Sequence, residues 1–455
     1  MAASAGAVEW ARLDRLLAER SIRSVYQPIV ELDTGAIVAY EALARGPAGD
    51  PLETPNLLFE AAGLRGQVPQ LDEACREAAF AGARAAGMRY PWTLFVNFEP
   101  AAARSILAST DRSSTGFPGA GSVHQVVMEL TERELTARPA ELLQLVAEMR
   151  AHGWGVALDD VGADPNSLAL LPLLRPDVIK LDLSLVQQRP SAQVARIVSA
   201  VNAEAERSGS VVLAEGIESA EHLTIASSLG ATLGQGYLLG RPGPLPSALP
   251  STSAPALPLA RRDAGVSTQT PYEMAAAVRE PRTARKLLLI EISKHLERSA
   301  LEAGESVVVL STFQEATFFT PTTRRRYMDL AARSAFVGAL GAGMQPAPAP
   351  GVRGARLDAG DPLLGEWDIA VVGPHFAATL VARDLGDSGP DAERRFSFVL
   401  SHDRELAVSV ALMLMSRMLP EPTRRDRPPN ATQASGARAP LRGAAPSTYT
   451  DIEAL

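Results

Sequence analysis

The chain has a single cysteine, Cys75, among 455 residues. That excludes an intrachain disulfide framework and a cysteine-rich zinc site. Cys75 sits in the helical run 71–86, where a cysteine acts as a small buried apolar residue rather than a reactive thiol. Positive charge is also scarce, with a formal net charge of -8 and a sequence pI near 5.5. With no strongly basic domain, the chain is no dedicated nucleic-acid binder, because phosphate neutralisation needs a basic surface. Long apolar runs are missing too: nothing approaches the roughly 18 residues a membrane span requires. Met1 to Gly6 carry no basic stretch ahead of an apolar core, so no signal peptide is read and a cytoplasmic protein is expected.

Hydrophobic residues make up 46% of the sequence, ample for sizeable cores, and the length suggests two or three domains. Residues 1–20 hold a short amphipathic helix with Trp10 and the stripe Leu13, Leu16 and Leu17. Strand-like segments then fall at 24–31, 36–44, 92–98, 125–130, 155–160, 177–181, 211–215 and 234–239. Helical runs at 138–152, 191–208 and 220–229 lie between them, which predicts parallel strands with crossover helices. Eight such strands over residues 21–245 fit an α/β fold of the (β/α)8 TIM-barrel type. The gap 32–35 is too short for a crossover, so the first strand is expected to run antiparallel. Residues 246–275 read as a Pro/Ser/Ala-rich linker, and 276–419 as a smaller mixed α/β domain. Within that domain 324–340 reads as a helix and 341–360 as a mobile loop. Residues 420–455 have the composition of a disordered tail.

The chemistry is carried by the strand ends. Val156-Ala157-Leu158-Asp159-Asp160-Val161-Gly162 drops two adjacent carboxylates at the end of an apolar strand. Alone, such a pair is either a solvated turn or half of a divalent-metal site. The other strands end alike: Glu41 with Arg45, Asn97, Glu129 with Glu132, Lys180 with Asp182, Glu215 with Glu218, and Gln235. In a barrel those ends converge on one rim. None of the six histidines (124, 152, 222, 295, 375, 402) is among them, and an oxygen-only set suits Mg²⁺ or Mn²⁺. Acids, a lysine and an arginine around hard cations point to phosphate-ester hydrolysis.

The same residues carry a family resemblance. Tyr26-Gln27-Pro28-Ile29-Val30, Tyr40-Glu41-Ala42-Leu43-Ala44-Arg45, Phe95-Val96-Asn97, Glu129-Leu130-Thr131-Glu132, Leu158-Asp159-Asp160, Lys180-Leu181-Asp182, Ala214-Glu215-Gly216-Ile217-Glu218 and Gly234-Gln235-Gly236-Tyr237-Leu238 resemble, in order and spacing, the EAL-domain phosphodiesterases of cyclic di-GMP. The resemblance implies hydrolysis of cyclic di-GMP to linear pGpG at a two-metal Mg²⁺ or Mn²⁺ site. It implies that Glu41, Asn97, Glu129 and Asp159 ligate one metal, and that Asp159, Asp160 and Glu215 serve the second. Lys180 would hold the attacking water, and Gln27, Arg45 and Gln235 would contact substrate. Glu218 would tether the loop after Asp160, with Asp182 and Glu132 supporting the site from behind. A homodimer is the family habit.

One departure stands out: Asp164 and Pro165 occupy a loop that is glycine-rich in the family, and Pro165 fixes φ and lacks an N–H. A receptor that binds cyclic di-GMP without hydrolysing it therefore stays open as the alternative. Residues 280–419 resemble DICT-type sensory modules, through Val307-Val308-Val309, the stretch 313–319 with Tyr327, and Gly365-Glu366-Trp367-Asp368. That resemblance implies a regulatory domain with an unidentified ligand or protein partner.

Overall fold

The computed structural model describes residues 11–99, 125–131, 138–164, 168–247, 249, 256–259, 268–388 and 390–418. Eight strands close a barrel in chain order: β1 (Arg23–Glu31), β2 (Ile37–Arg45), β3 (Thr93–Asn97), β4 (Gln125–Thr131), β5 (Gly155–Val161), β6 (Val178–Leu181), β7 (Val211–Ala214) and β8 (Leu233–Gly234). β1 is antiparallel to both its neighbours, β2 and β8. The remaining pairs are parallel. The β1–β2 hairpin closes through Gly35, whose φ of 71° is left-handed and whose N–H donates to the Glu31 carbonyl at 2.9 Å.

α1 (11–18) precedes the barrel, and helices fill crossovers between its strands: α2 (Pro55–Arg65), α3 (Val68–Ala85), α4 (Pro139–Ala151), α5 (Leu171–Leu174), α6 (Leu183–Gln187), α7 (Ala192–Ser208) and α8 (Ala220–Ser228). Ser191 and Ser219 cap α7 and α8, each accepting a backbone N–H from the first turn. Trp10, Glu132, the run Pro165-Asn166-Ser167 and the tail from 419 onward lie outside the described residues. No helix among the described residues is long and apolar enough to cross a membrane.

Inside the barrel, one apolar layer holds a side chain from every strand: Ile29, Ala39, Phe95, Val127, Ala157, Val178, Leu213 and Leu233. Leu257 joins that layer although it belongs to the stretch expected to be linker. The Gln125 amide donates to its carbonyl at 3.3 Å, and a Cβ on Gly155 would stand 2.7 Å from the Leu259 side chain. Residues 256–259 thus close the floor of the barrel, at the end where β4 and β5 begin.

A second sheet follows, in the order β12-β11-β10-β13-β14-β15-β9. Its strands are β9 (Arg282–Arg285), β10 (Val308–Glu315), β11 (Phe336–Ala342), β12 (Arg353–Arg356), β13 (Glu366–Val372), β14 (Ala377–Asp384) and β15 (Arg395–Ser401). β10, β11 and β12 are parallel and the other pairings antiparallel, which makes the domain mixed α/β. Its helices are α9 (Pro271–Val278), which begins inside the expected linker, α10 (Lys286–Ala303), α11 (Pro321–Ala331) and α12 (Arg404–Met415).

Two expectations are corrected here. The helix expected over 324–340 stops at Ala331, because Phe336 to Ala342 is a buried strand paired on both sides, and its two glycines disfavour helix. The stretch 341–360 is not a mobile loop: Met344, Ala349, Val352 and Leu357 are buried, and β12 lies within it. Its small residues reflect tight packing, since a Cβ on Gly354 would meet the Gln345 carbonyl oxygen at 1.8 Å. Against the barrel, α12 packs on α5 within one continuous apolar cluster, Glu405 ion-pairs with Arg175, and Arg207 donates to the Pro374 carbonyl at 3.0 Å.

Candidate active site

Side chains of a strand alternate between its two faces, so the residue two places beyond each member of the apolar layer also points into the barrel. Those residues are Glu41, Asn97, Glu129, Asp159, Lys180, Glu215 and Gln235, with Gln27 on the reversed β1. Every strand therefore contributes one polar side chain to a ring directly above an apolar layer. Register closes the ring locally, for Gln27 is the Cα partner of Glu41 and Asn97 of Glu129.

Lys180 stands at its centre, 1% exposed. Its ammonium lies 2.7 Å from Glu129 Oε1, 2.8 Å from Glu215 Oε1, 3.0 Å from Asp159 Oδ1 and 3.8 Å from Glu41 Oε1. The amide of Gln235 donates to Glu41 Oε2 at 2.6 Å and to Gln27 Oε1 at 3.0 Å, while Gln27 donates to the Gly240 carbonyl at 3.0 Å. Asn97 donates to Glu41 Oε1 at 3.2 Å. The turn that carries Gln235 needs Gly236, where a Cβ would sit 2.2 Å from the Ile217 carbonyl oxygen.

Burial would depress the lysine, but Asp159, Glu129, Glu215 and Glu41 overcome it and hold the ammonium well above the ordinary lysine range. Glu129 is raised well above the carboxylate range, first by burial and then by Glu41, against the pull of Lys180. Burial likewise pushes Glu215 up to about 7, with Lys180 opposing and Asp159 adding to the rise.

Four carboxylates thus share one ammonium, and their charge is incompletely balanced by protein groups. Glu129 Oε2 is buried without a hydrogen bond, which is costly for a carboxylate oxygen that protein alone must satisfy. Asp159, Asp160 and Glu215 each offer an oxygen within 4.8 Å of the others. Hard oxygen donors, an orphaned buried carboxylate oxygen and excess negative charge fit divalent cations such as Mg²⁺ or Mn²⁺. Asp160 has a left-handed φ of 56°, a conformation aspartate tolerates. Its N–H donates to Asp159 Oδ1 at 3.0 Å.

Other sequence candidates lie off this ring. Arg45, half-buried at the end of β2, donates to the Ala44 carbonyl at 2.7 Å. Asp182 caps α6, accepting the Ser184 N–H at 2.9 Å. Glu218 is exposed, and its backbone N–H donates to His222 Nδ1 at 3.2 Å. Cys75 is half-buried, and burial pushes its thiol up to about 12, away from reactivity.

The sequence reading missed Asp72 and Arg76, an ion pair on α3 that is 2% exposed at both ends. Asp72 accepts the Glu99 N–H at 3.0 Å, and the Arg76 guanidinium lies 5.1 Å from the Phe98 ring. Together they fix the segment just beyond Asn97. Both line a cleft of about 360 Å³ that also reaches Glu41 and Glu129. Their i,i+4 spacing was visible, but it reads first as a surface pair.

Comparison with known proteins bears on this geometry. A model of the EAL domain matches residues 10–242, and a model described as a sensory domain in diguanylate cyclases and two-component systems matches residues 269–385. The cyclic di-GMP phosphodiesterase RocR of Pseudomonas aeruginosa is 30% identical over 224 residues, covering 48% of this chain and 57% of the relative. An uncharacterized Sinorhizobium fredii protein, y4lL, is 34% identical over 245 residues, covering 52% and 28%. The oxygen sensor protein DosP of Escherichia coli is 27% identical over 258 residues, covering 55% and 32%. The chain spans between 28% and 57% of the length of these curated relatives. A manganese/cyclic di-GMP complex of BlrP1 from Klebsiella pneumoniae is 28% identical, covering 49% of this chain and 56% of that one, at a TM-score of 0.43.

Proposed function

Since the EAL-domain model spans residues 10–242, about half of the chain, the protein belongs to the EAL-domain family, and we propose that it is a metal-dependent phosphodiesterase that hydrolyses cyclic di-GMP to linear pGpG. One observation carries the reading: Glu41, Glu129, Asp159 and Glu215 surround the buried Lys180 ammonium. A curated relative that acts on cyclic di-GMP supports the choice of substrate.

In this proposal Glu41, Asn97, Glu129 and Asp159 hold one cation, and Asp159, Asp160 and Glu215 the other. Bound divalent cations supply Lewis acidity, polarising a phosphoryl oxygen and acidifying water. Lys180 keeps its proton, orients the attacking water and steadies negative charge growing on the phosphate. Gln27 and Gln235 present amides to the substrate, and the Arg45 guanidinium suits a pair of phosphate oxygens. Water adds its hydroxyl to one phosphorus and its proton to the departing ribose oxygen, which opens the ring to a linear dinucleotide with a terminal phosphate. The second domain regulates this step, a role supported by the packing of α12 on α5, which follows the loop after Asp160 in the chain.

The site assignment is tested by Glu41→Ala and Asp159→Ala. Each should abolish turnover while the circular dichroism of the full chain stays native; retained hydrolysis in either variant overturns the assignment.

A further inference from the structure

The second domain contains a cavity of about 360 Å³ between its sheet and helices α10 and α11, lined by none of the residues of the carboxylate ring. The volume lies in the range of small-molecule sites. The cavity opens to solvent on one side, so a ligand could enter and displace water from its apolar walls. In a chain that is only 5% aromatic, Phe313, Phe318, Tyr327, Trp367 and Phe396 all line it.

Several of those rings are locked in place. Phe313, Phe319 and Tyr327 pack edge to face with centroids 5.1–5.4 Å apart, and Trp367 stands against Phe396 at 5.8 Å. The Tyr327 hydroxyl is spent on Ser311, at 2.6 Å. Ser293 also lines the cavity, is 6% exposed, and its hydroxyl finds no partner. An unsatisfied buried hydroxyl is costly, and here it is a donor waiting for an acceptor.

The charges around the cavity choose its sign. Both lining carboxylates are engaged, Glu297 by Arg326 at 2.7 Å and Asp391 by Lys286 at 2.5 Å. Lys294 differs, for its partner Glu291 is solvated, with a side chain 67% exposed, and such surface pairs are weak. A ligand therefore meets rigid aromatic walls, one free hydroxyl and one readily released cation.

From these features we infer that the cavity binds a flat aromatic anion, its ring system held among the aromatic side chains, an acceptor on Ser293 and its negative charge at Lys294. The site is separate from the proposed hydrolysis and does not depend on it.

The probe is 8-anilinonaphthalene-1-sulfonate, an aromatic anion that joins a flat naphthalene ring to a sulfonate and whose fluorescence rises in apolar surroundings, titrated into the full chain. One saturable site per chain is expected. Ser293→Leu fills the inner end, and Thr322→Trp crowds the mouth from an exposed position. Each should weaken binding about tenfold or more while circular dichroism stays native, and Lys294→Ala should weaken it several-fold and remove its salt dependence. Should Ser293→Leu fail to fold, Thr322→Trp carries the test. Unsaturable binding, or one-site binding unchanged in Thr322→Trp and in a folded Ser293→Leu, overturns the inference.

Discussion

The ammonium of Lys180 stands 2.7 Å from Glu129 Oε1, and both side chains are almost wholly buried. A buried charge left without its partner is heavily penalised, by about 3–5 kcal/mol. Lys180→Met should therefore lower the stability of the chelator-treated protein by roughly that amount. Added Mn²⁺ should raise the melting temperature of the variant more than that of the parent, because a cation then takes over the neutralisation. Denaturant melts with and without metal check both parts; equal stability in chelator would refute the balance described.

A different outcome is expected at Gly236. Alanine there would drive a Cβ into the Ile217 backbone, so the turn carrying Gln235 must move and its bonds to Glu41 and Gln27 must break. Gly236→Ala should weaken cyclic di-GMP binding by about tenfold or more, the worth of one or two hydrogen bonds. Calorimetry should find Mn²⁺ affinity little changed, since the carboxylate oxygens stay in place. Equal loss of both affinities would mean that Gln235 supports the metal site rather than the substrate.

In the second domain, burial and then the neighbouring Glu366 hold the Asp368 carboxyl well above its ordinary value of 3.8. The folded chain therefore binds this proton more tightly than the unfolded chain. Its contribution to stability is full below the ordinary carboxylate range and is lost as pH rises through the raised folded value. Asp368→Asn removes the effect, so the fall in melting temperature from acidic to mildly alkaline buffer should shrink by about 3 °C. An unchanged slope in the variant would place the titration elsewhere.

Much of the barrel was legible because its rule is simple. The antiparallel β1 followed from the gap 32–35, and most of the polar ring followed from the second to eighth strands, which end in oxygen-bearing or charged residues. Leu257 was not legible, since nothing local marks one leucine in a Pro/Ser/Ala-rich stretch as the plug of a distant barrel. The strand Phe336–Ala342 was missed because a short apolar run fits helix and strand equally well, and its place between β10 and β12 decides the matter. Asp72 and Arg76 carry no local mark of their burial, which only tertiary packing supplies. Arg45, Asp182 and Glu218 show the converse: strand-end position alone does not tell which side chains turn inward to the ring.

The central claim is that the ring around Lys180 hydrolyses a cyclic dinucleotide. Its most direct test incubates the purified full chain with cyclic di-GMP and Mg²⁺ or Mn²⁺ and resolves the nucleotides by chromatography. The account predicts accumulation of linear pGpG, absent in chelator and in Asp159→Ala. Cyclic di-GMP that binds yet remains intact with both metals would contradict it.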